Sequence, residues 1–76
     1  MTTEMIKVLE ESIVTICGLA INEIKTSRDV ERFMDYSAMD TIDDLNKGRL
    51  NEDELNVVYN SIRNLLEERY VVKVPF

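Results

Sequence analysis

Residues 43–54 have the spacing that comes closest to a known binding chemistry in this 76-residue chain. Asp43, Gly48 and Glu54 match the first, sixth and twelfth positions of a calcium-binding loop. That loop also needs oxygen ligands at its third and fifth positions, where this chain has Leu45 and Lys47. Leucine supplies no ligand, and lysine would place a positive charge beside the ion. We therefore predict a turn between two helices here, with no bound metal.

The remaining residue types do not form the pattern of an enzyme. The chain has no histidine and a single cysteine, Cys17, which argues against zinc sites and paired nucleophiles. Cys17 lies in an apolar run, where a free cysteine packs as a small hydrophobic residue. The carboxylates fall mainly on polar faces of predicted helices, outside the apolar pocket that a general acid needs. We predict no catalytic activity and no cofactor.

The net charge of −6 is concentrated in the middle of the chain. Residues 29–54 contain nine acidic and three basic side chains, whereas the flanking segments sum to −1 and +1. Direct binding to nucleic acid or to an anionic membrane would require the opposite sign. The distribution instead favours a protein partner with a basic surface.

Hydrophobic residues recur at helical spacing in three segments, which predicts an all-α fold in one domain covering residues 1–76. The predicted helices span residues 3–25, 28–46 and 52–69. Residues 71–76 are rich in valine and contain a proline, so they are predicted to form a short extended tail.

Capping residues mark the predicted helix boundaries. Ser27 is the predicted N-cap of the second helix, and Gly48 suits the left-handed position that follows the end of this helix. Asn51 and Glu54 have the spacing of a capping box at the start of the third helix.

The first predicted helix is apolar over too wide an arc to be covered on one side only. Either a second copy of the chain covers part of this helix, or its own chain wraps it completely. Because so short a chain has few residues for wrapping, we predict a homodimer packed through the first helix. The residues predicted for this interface are Val8, Ile13, Ile16, Leu19 and Ile21.

Acidic side chains around the second and third helices form the predicted partner-binding surface. Its members are Asp35, Asp40, Asp43, Asp44, Glu52, Asp53 and Glu54. The steps from Asp35 to Asp40 to Asp44 are roughly 6–8 Å along a helix, comparable with the spacing of neighbouring phosphates on one DNA strand. Asp40, Asp43 and Asp44 also lie in the later half of a helix, where acids oppose the helix dipole.

In its size, its lack of histidine, its acidic helical middle and its predicted dimerisation, the chain resembles small phage-encoded host-takeover proteins. Among these are DNA mimics that block a bacterial sliding clamp or a nucleoid protein. The resemblance implies inhibition of a host DNA-processing protein by filling its DNA-binding surface. The N-terminus lacks the pattern of a signal peptide, which favours the cytoplasm of the protein's own cell or of a host.

A second interpretation stays open. The acidic side chains would then only be solvated, and the protein would be a small dimeric helical adaptor, antitoxin-like or structural. Such an adaptor would recognise its protein partner through apolar surface.

Overall fold

The computed structural model describes residues 2–20 and 22–71, and this part of the chain consists of helices and turns. The helices are α1 (Thr3–Ala20), α2 (Ser27–Phe33), α3 (Met39–Asn46) and α4 (Glu52–Tyr70). A π-helical segment, Met34–Ala38, joins α2 to α3 without a break in helical backbone angles. Together these three pieces form the second of the three predicted helices, and the all-α prediction is confirmed. The predicted tail lies outside the described residues from position 72 onward.

The first helix ends at Ala20, five residues before the predicted end. The Glu23 N–H donates to the Ala20 carbonyl at 3.0 Å and closes a turn. Ile24 follows this turn and is nevertheless buried. The apolar spacing in the sequence therefore extends beyond the helix, because Ile24, which follows the turn, also packs in the core.

Thr26, rather than Ser27, is the N-cap of α2. Its hydroxyl accepts from the Asp29 N–H at 3.2 Å, while the Asp29 carboxylate accepts from the N–H groups of Lys25 and Thr26 at 3.0 and 3.1 Å. These backbone N–H groups, that of Lys25 first, lower the pKa of Asp29. The prediction was one residue off because Asp29 stands three residues after Thr26, the spacing that a capping box requires.

The core-facing side of α1 includes two of the five residues predicted for the dimer interface. Val8 and Ile16 are 0% exposed within the single chain, so they have no surface to offer to a second copy. Their assignment to a dimer interface was therefore wrong. Ile13 is half-buried and packs against the core, while Leu19 is 52% exposed. Ile21, the fifth predicted interface residue, lies outside the described residues.

The turn between α3 and α4 is stabilised by side chains as well as by its backbone. Lys47 and Gly48 both have left-handed backbone angles, with φ of 52° and 76°. The buried Asn46 side chain accepts from the Leu50 N–H at 2.9 Å, which holds Leu50 in the core. The predicted capping box then starts α4, with Asn51 accepting from the backbone of Glu54 at 2.8 Å.

Candidate functional site

The π-helical segment brings three of the predicted acidic residues into register. Within it, the Met39 N–H donates to the Met34 carbonyl, five residues back. Residues five apart therefore lie above one another here, as residues four apart do in an α-helix. Asp35 and Asp40 are five apart across this segment, and Asp44 follows four residues later in α3. We call Asp35, Asp40 and Asp44 the acidic row.

The acidic row faces away from the core. Ile42, two residues from both Asp40 and Asp44, is completely buried, and two residues correspond to about 200° of rotation in an α-helix. All three row carboxylates are exposed. None of the ion pairs found among the described residues includes them. Like charges four residues apart destabilise a helix by about 0.2–0.5 kcal/mol, so the row opposes folding slightly.

The arginine in the turn after α3 pairs with α1 and not with the acidic row. Arg49 lies in the turn after α3, yet its guanidinium contacts Glu11 at 3.1 Å and Glu4 at 3.7 Å on α1. Its Nε also donates to the Asn46 carbonyl at 3.0 Å, which fixes this direction. The fold thus uses Arg49 to connect the turn to α1 and leaves the row charges without this counterion.

Asp43 has a structural contact that the other predicted acids of α3 lack. The Tyr59 hydroxyl of α4 donates to its carboxylate. Burial, and then this hydrogen bond, raise the pKa of Tyr59 to about 12. Asp43 therefore links α3 to α4, and the structure separates it from the acidic row.

The acids at the start of α4 form a second group. Glu54 is half-buried, and its carboxylate accepts from the Asn51 N–H at 3.1 Å in the capping box. Glu52 and Asp53 are exposed in the first helical turn, where the helix dipole favours negative charge. All three therefore have local reasons to be there, which the row acids do not have.

Both ends of the calcium-loop template are engaged within the chain, Asp43 with Tyr59 and Glu54 with Asn51. Over residues 2–20 and 22–71, no three histidine, cysteine or carboxylate side chains cluster in a way that could hold a metal ion.

The sequence alone did not lead us to predict the π-helical register that aligns the acidic row, although the sequence contains a signal for it. One series of buried positions in the second helix is spaced by four: Val30, Met34, Ala38, Ile42 and Asn46. Phe33 is buried beside this series. In an uninterrupted α-helix, this spacing drifts by about 40° at each step, because four residues turn the chain by 400°. The wider turn of the π segment reduces that drift and keeps these side chains on the core.

Comparisons with protein-family models, with curated proteins and with solved structures find no match for this chain. Among the described helices, none is long and apolar enough to cross a membrane.

Proposed function

We propose that this protein is a non-enzymatic acidic interaction protein that binds the basic, DNA-binding surface of a protein partner. By occupying that surface, it excludes DNA and inhibits a DNA-processing protein such as a sliding clamp or a nucleoid protein. The resemblance to phage-encoded DNA mimics supports a bacterial partner and action in the cytoplasm. Self-association of the chain is part of the same proposal, because a dimer would present two acidic rows.

The observation that carries this proposal is the acidic row itself. Asp35, Asp40 and Asp44 are exposed, aligned and free of ion pairs among the described residues. Asp40 and Asp44 repel each other, and Asp44 lies in the last turn of α3, where the dipole disfavours a carboxylate. Charges that oppose folding and have no ion-pair partner in residues 2–20 and 22–71 are best explained by a partner protein.

Duplex DNA presents regularly spaced negative charges to a protein, and a basic channel made for DNA attracts any ligand with similar spacing. The row steps by about one helical turn, and carboxylates four residues apart on α3 are about 6 Å apart along the axis. Several such contacts, each weak, would steer association and add up to specific binding.

A helical adaptor that recognises its partner through apolar surface is the second candidate. Exposed hydrophobic side chains favour it, because Val14, Leu19 and Tyr36 are 76%, 52% and 78% exposed. Such recognition would depend little on salt, in contrast to binding through the acidic row.

The test measures displacement of fluorescent duplex DNA from a bacterial sliding clamp and from a nucleoid protein. We expect wild-type protein to displace DNA from at least one of them, and to bind at least about tenfold more weakly when salt rises from about 50 to about 200 mM. Asp40→Asn combined with Asp44→Asn should remove most of this binding without lowering the melting temperature, since both replacements relieve repulsion.

The matched control is Glu10→Gln combined with Glu23→Gln, which changes the net charge equally at two exposed positions outside the row. This control should bind nearly as well as wild type. Equal binding by the Asp40/Asp44 variant and the control would show that the acidic row is not the recognition surface. Binding that does not change with salt would favour the adaptor.

A further inference from the structure

The change from π-helical to α-helical hydrogen bonding leaves one backbone carbonyl of the second helix without an N–H donor. At the end of the π segment, the Met39 N–H donates to the Met34 carbonyl, five residues back. In α3, which begins directly after the π segment, the first α-helical bond joins the Ile42 N–H to the Ala38 carbonyl. Between these two bonds lie the carbonyls of residues 35–37 but only two N–H groups. Two donors therefore face three acceptors.

The hydroxyl of Thr41 supplies the missing donor. Its Oγ1 donates to the Ser37 carbonyl at 3.0 Å, and both residues are half-buried. With this hydroxyl, three donors serve the three carbonyls. A threonine hydroxyl reaches only the carbonyls three and four residues before it in a helix. If the π turn lay elsewhere in the helix, the carbonyl left without a donor would be a different one, beyond the reach of Thr41.

Thr15 of α1 makes the same kind of hydrogen bond where no donor is missing. Its Oγ1 donates to the Glu11 carbonyl at 3.1 Å, four residues back. Since α1 is α-helical throughout, that carbonyl also accepts from the Thr15 N–H. The hydroxyl is therefore an additional donor at Thr15 and a necessary donor at Thr41.

The location of the π turn decides whether the acidic row is aligned. Residues five apart in an uninterrupted α-helix differ by about 140° in direction, because each residue turns the chain by about 100°. Asp35 and Asp40 lie above one another because the π turn lies between them. Burial of Val30 on one side and Ile42 on the other fixes the total rotation between them, and local hydrogen bonds select where the wider turn lies.

We propose that Thr41 is a positioning residue, whose hydroxyl fixes the location of the π turn and thereby holds Asp35 in line with Asp40 and Asp44. Without the hydroxyl, the preference for the present location falls about tenfold, the population ratio that corresponds to one unmet hydrogen bond of a part-buried carbonyl. The location of the π turn is a property of the chain alone, whereas its effect on partner binding rests on the proposed function.

The test is NMR measurement of scalar couplings across hydrogen bonds in the labelled full chain, which identifies the carbonyl that accepts from each N–H. Wild-type protein should show coupling from the Met39 nitrogen to the Met34 carbonyl carbon. Thr41→Val and Thr41→Ala lack the hydroxyl, and each should reduce this coupling to about half or less, with coupling to the Asp35 carbonyl in its place. Thr41→Ser keeps the hydroxyl and should retain the wild-type coupling. Thr15→Val is the matched control and should also retain it.

Reduced coupling confined to the two variants without the Thr41 hydroxyl supports the inference. Unchanged coupling in both would overturn it, whatever their melting temperatures, because a hydroxyl that only stabilises the fold would alter stability alone. Equal loss from Thr15→Val, or loss in Thr41→Ser, would also overturn it. Circular dichroism establishes that each variant is folded. Unfolding of both variants would show that the hydroxyl is required for the fold itself, and would likewise overturn the inference.

DNA displacement tests separately whether the location of the π turn matters for recognition. The apparent dissociation constant rises as the fraction of molecules with an aligned row falls, so Thr41→Val should weaken binding at least about twofold and Thr41→Ser should not. Wild-type binding by a Thr41→Val protein with reduced coupling would overturn the positioning role. If wild-type protein displaces DNA from neither the sliding clamp nor the nucleoid protein, the proposed function fails, while the couplings still decide whether Thr41 fixes the π turn.

Discussion

The buried hydroxyl of Ser12 gives the most direct stability test of this fold. Ser12 is 0% exposed on the core side of α1, and its Oγ has no hydrogen-bond partner among the described residues. A buried polar group without a partner destabilises the folded state by about 1–3 kcal/mol. Ser12→Ala removes the hydroxyl and keeps the Cβ, so it should stabilise the protein.

The expected size follows from three contributions. Loss of the unpaired hydroxyl contributes about 1–3 kcal/mol, and the better helix propensity of alanine adds about 0.5 kcal/mol. Losing the packing of one oxygen atom offsets about 1 kcal/mol. The net expectation is an increase of about 0.5–2.5 kcal/mol in the free energy of unfolding. For a domain of this size, that corresponds to a melting temperature higher by about 2–20 °C.

Urea denaturation followed by circular dichroism measures the change, at one protein concentration so that self-association is constant. Ser61→Ala is the control, because Ser61 is half-buried in α4 and its Oγ is not among the buried atoms without a partner. This control should gain only the propensity term of about 0.5 kcal/mol. An increase for Ser12→Ala no larger than that of Ser61→Ala would refute the reasoning and show that the Ser12 hydroxyl is satisfied in the folded protein.

Two further predictions concern α4 and the π-helical segment. Because the pKa of Tyr59 is raised from 10.0 to about 12, its contribution to stability should be complete below pH 10 and lost as the pH rises toward 12. In an ultraviolet titration, Tyr59→Phe should lack the tyrosinate step near pH 12, and a wild type without that step would contradict the burial of Tyr59 and its contact with Asp43. Deleting the exposed Tyr36 should convert the π segment to α-helix with little change in the circular dichroism melt, because both flanking helices keep their core-facing sides. Deleting Asn60 should instead unfold the chain, because every later residue of α4 then rotates by about 100° relative to the core. Equal loss of stability from the two deletions would refute the π-helical register.

The sequence alone was sufficient for the features that depend on nearby residues. The start of α4 follows from Asn51 and Glu54, whose capping hydrogen bonds join residues three apart. The left-handed angle at Gly48 follows from the backbone preference of glycine. The burial of Val30 and Ile42 in the second helix, and of Ile62 in α4, follows from helical period within each helix. These are local properties, so no knowledge of packing was needed to predict an all-α chain.

The direction in which α1 faces required the tertiary structure. In α1, several stripes are apolar enough to be buried, and only packing against α3 and α4 selects Val8 and Ile16 and leaves Ile6 exposed. Helical period alone does not rank these stripes. A dimer interface predicted from α1 alone was therefore partly placed inside the core.

The acidic surface was divided by contacts between residues far apart in the sequence. Tyr59 contacts Asp43 across 16 residues of sequence. Arg49 pairs with Glu11, 38 residues away, and with Glu4, which is further away still. Spacing in the sequence identified Glu54 as a capping residue, but it did not separate Asp43 from Asp40 and Asp44, because charge and spacing do not reveal contacts with distant residues. The sequence by itself determined that this chain is helical and acidic in its middle. Only the packing of the helices and the π register decided that Asp35, Asp40 and Asp44 form one exposed row.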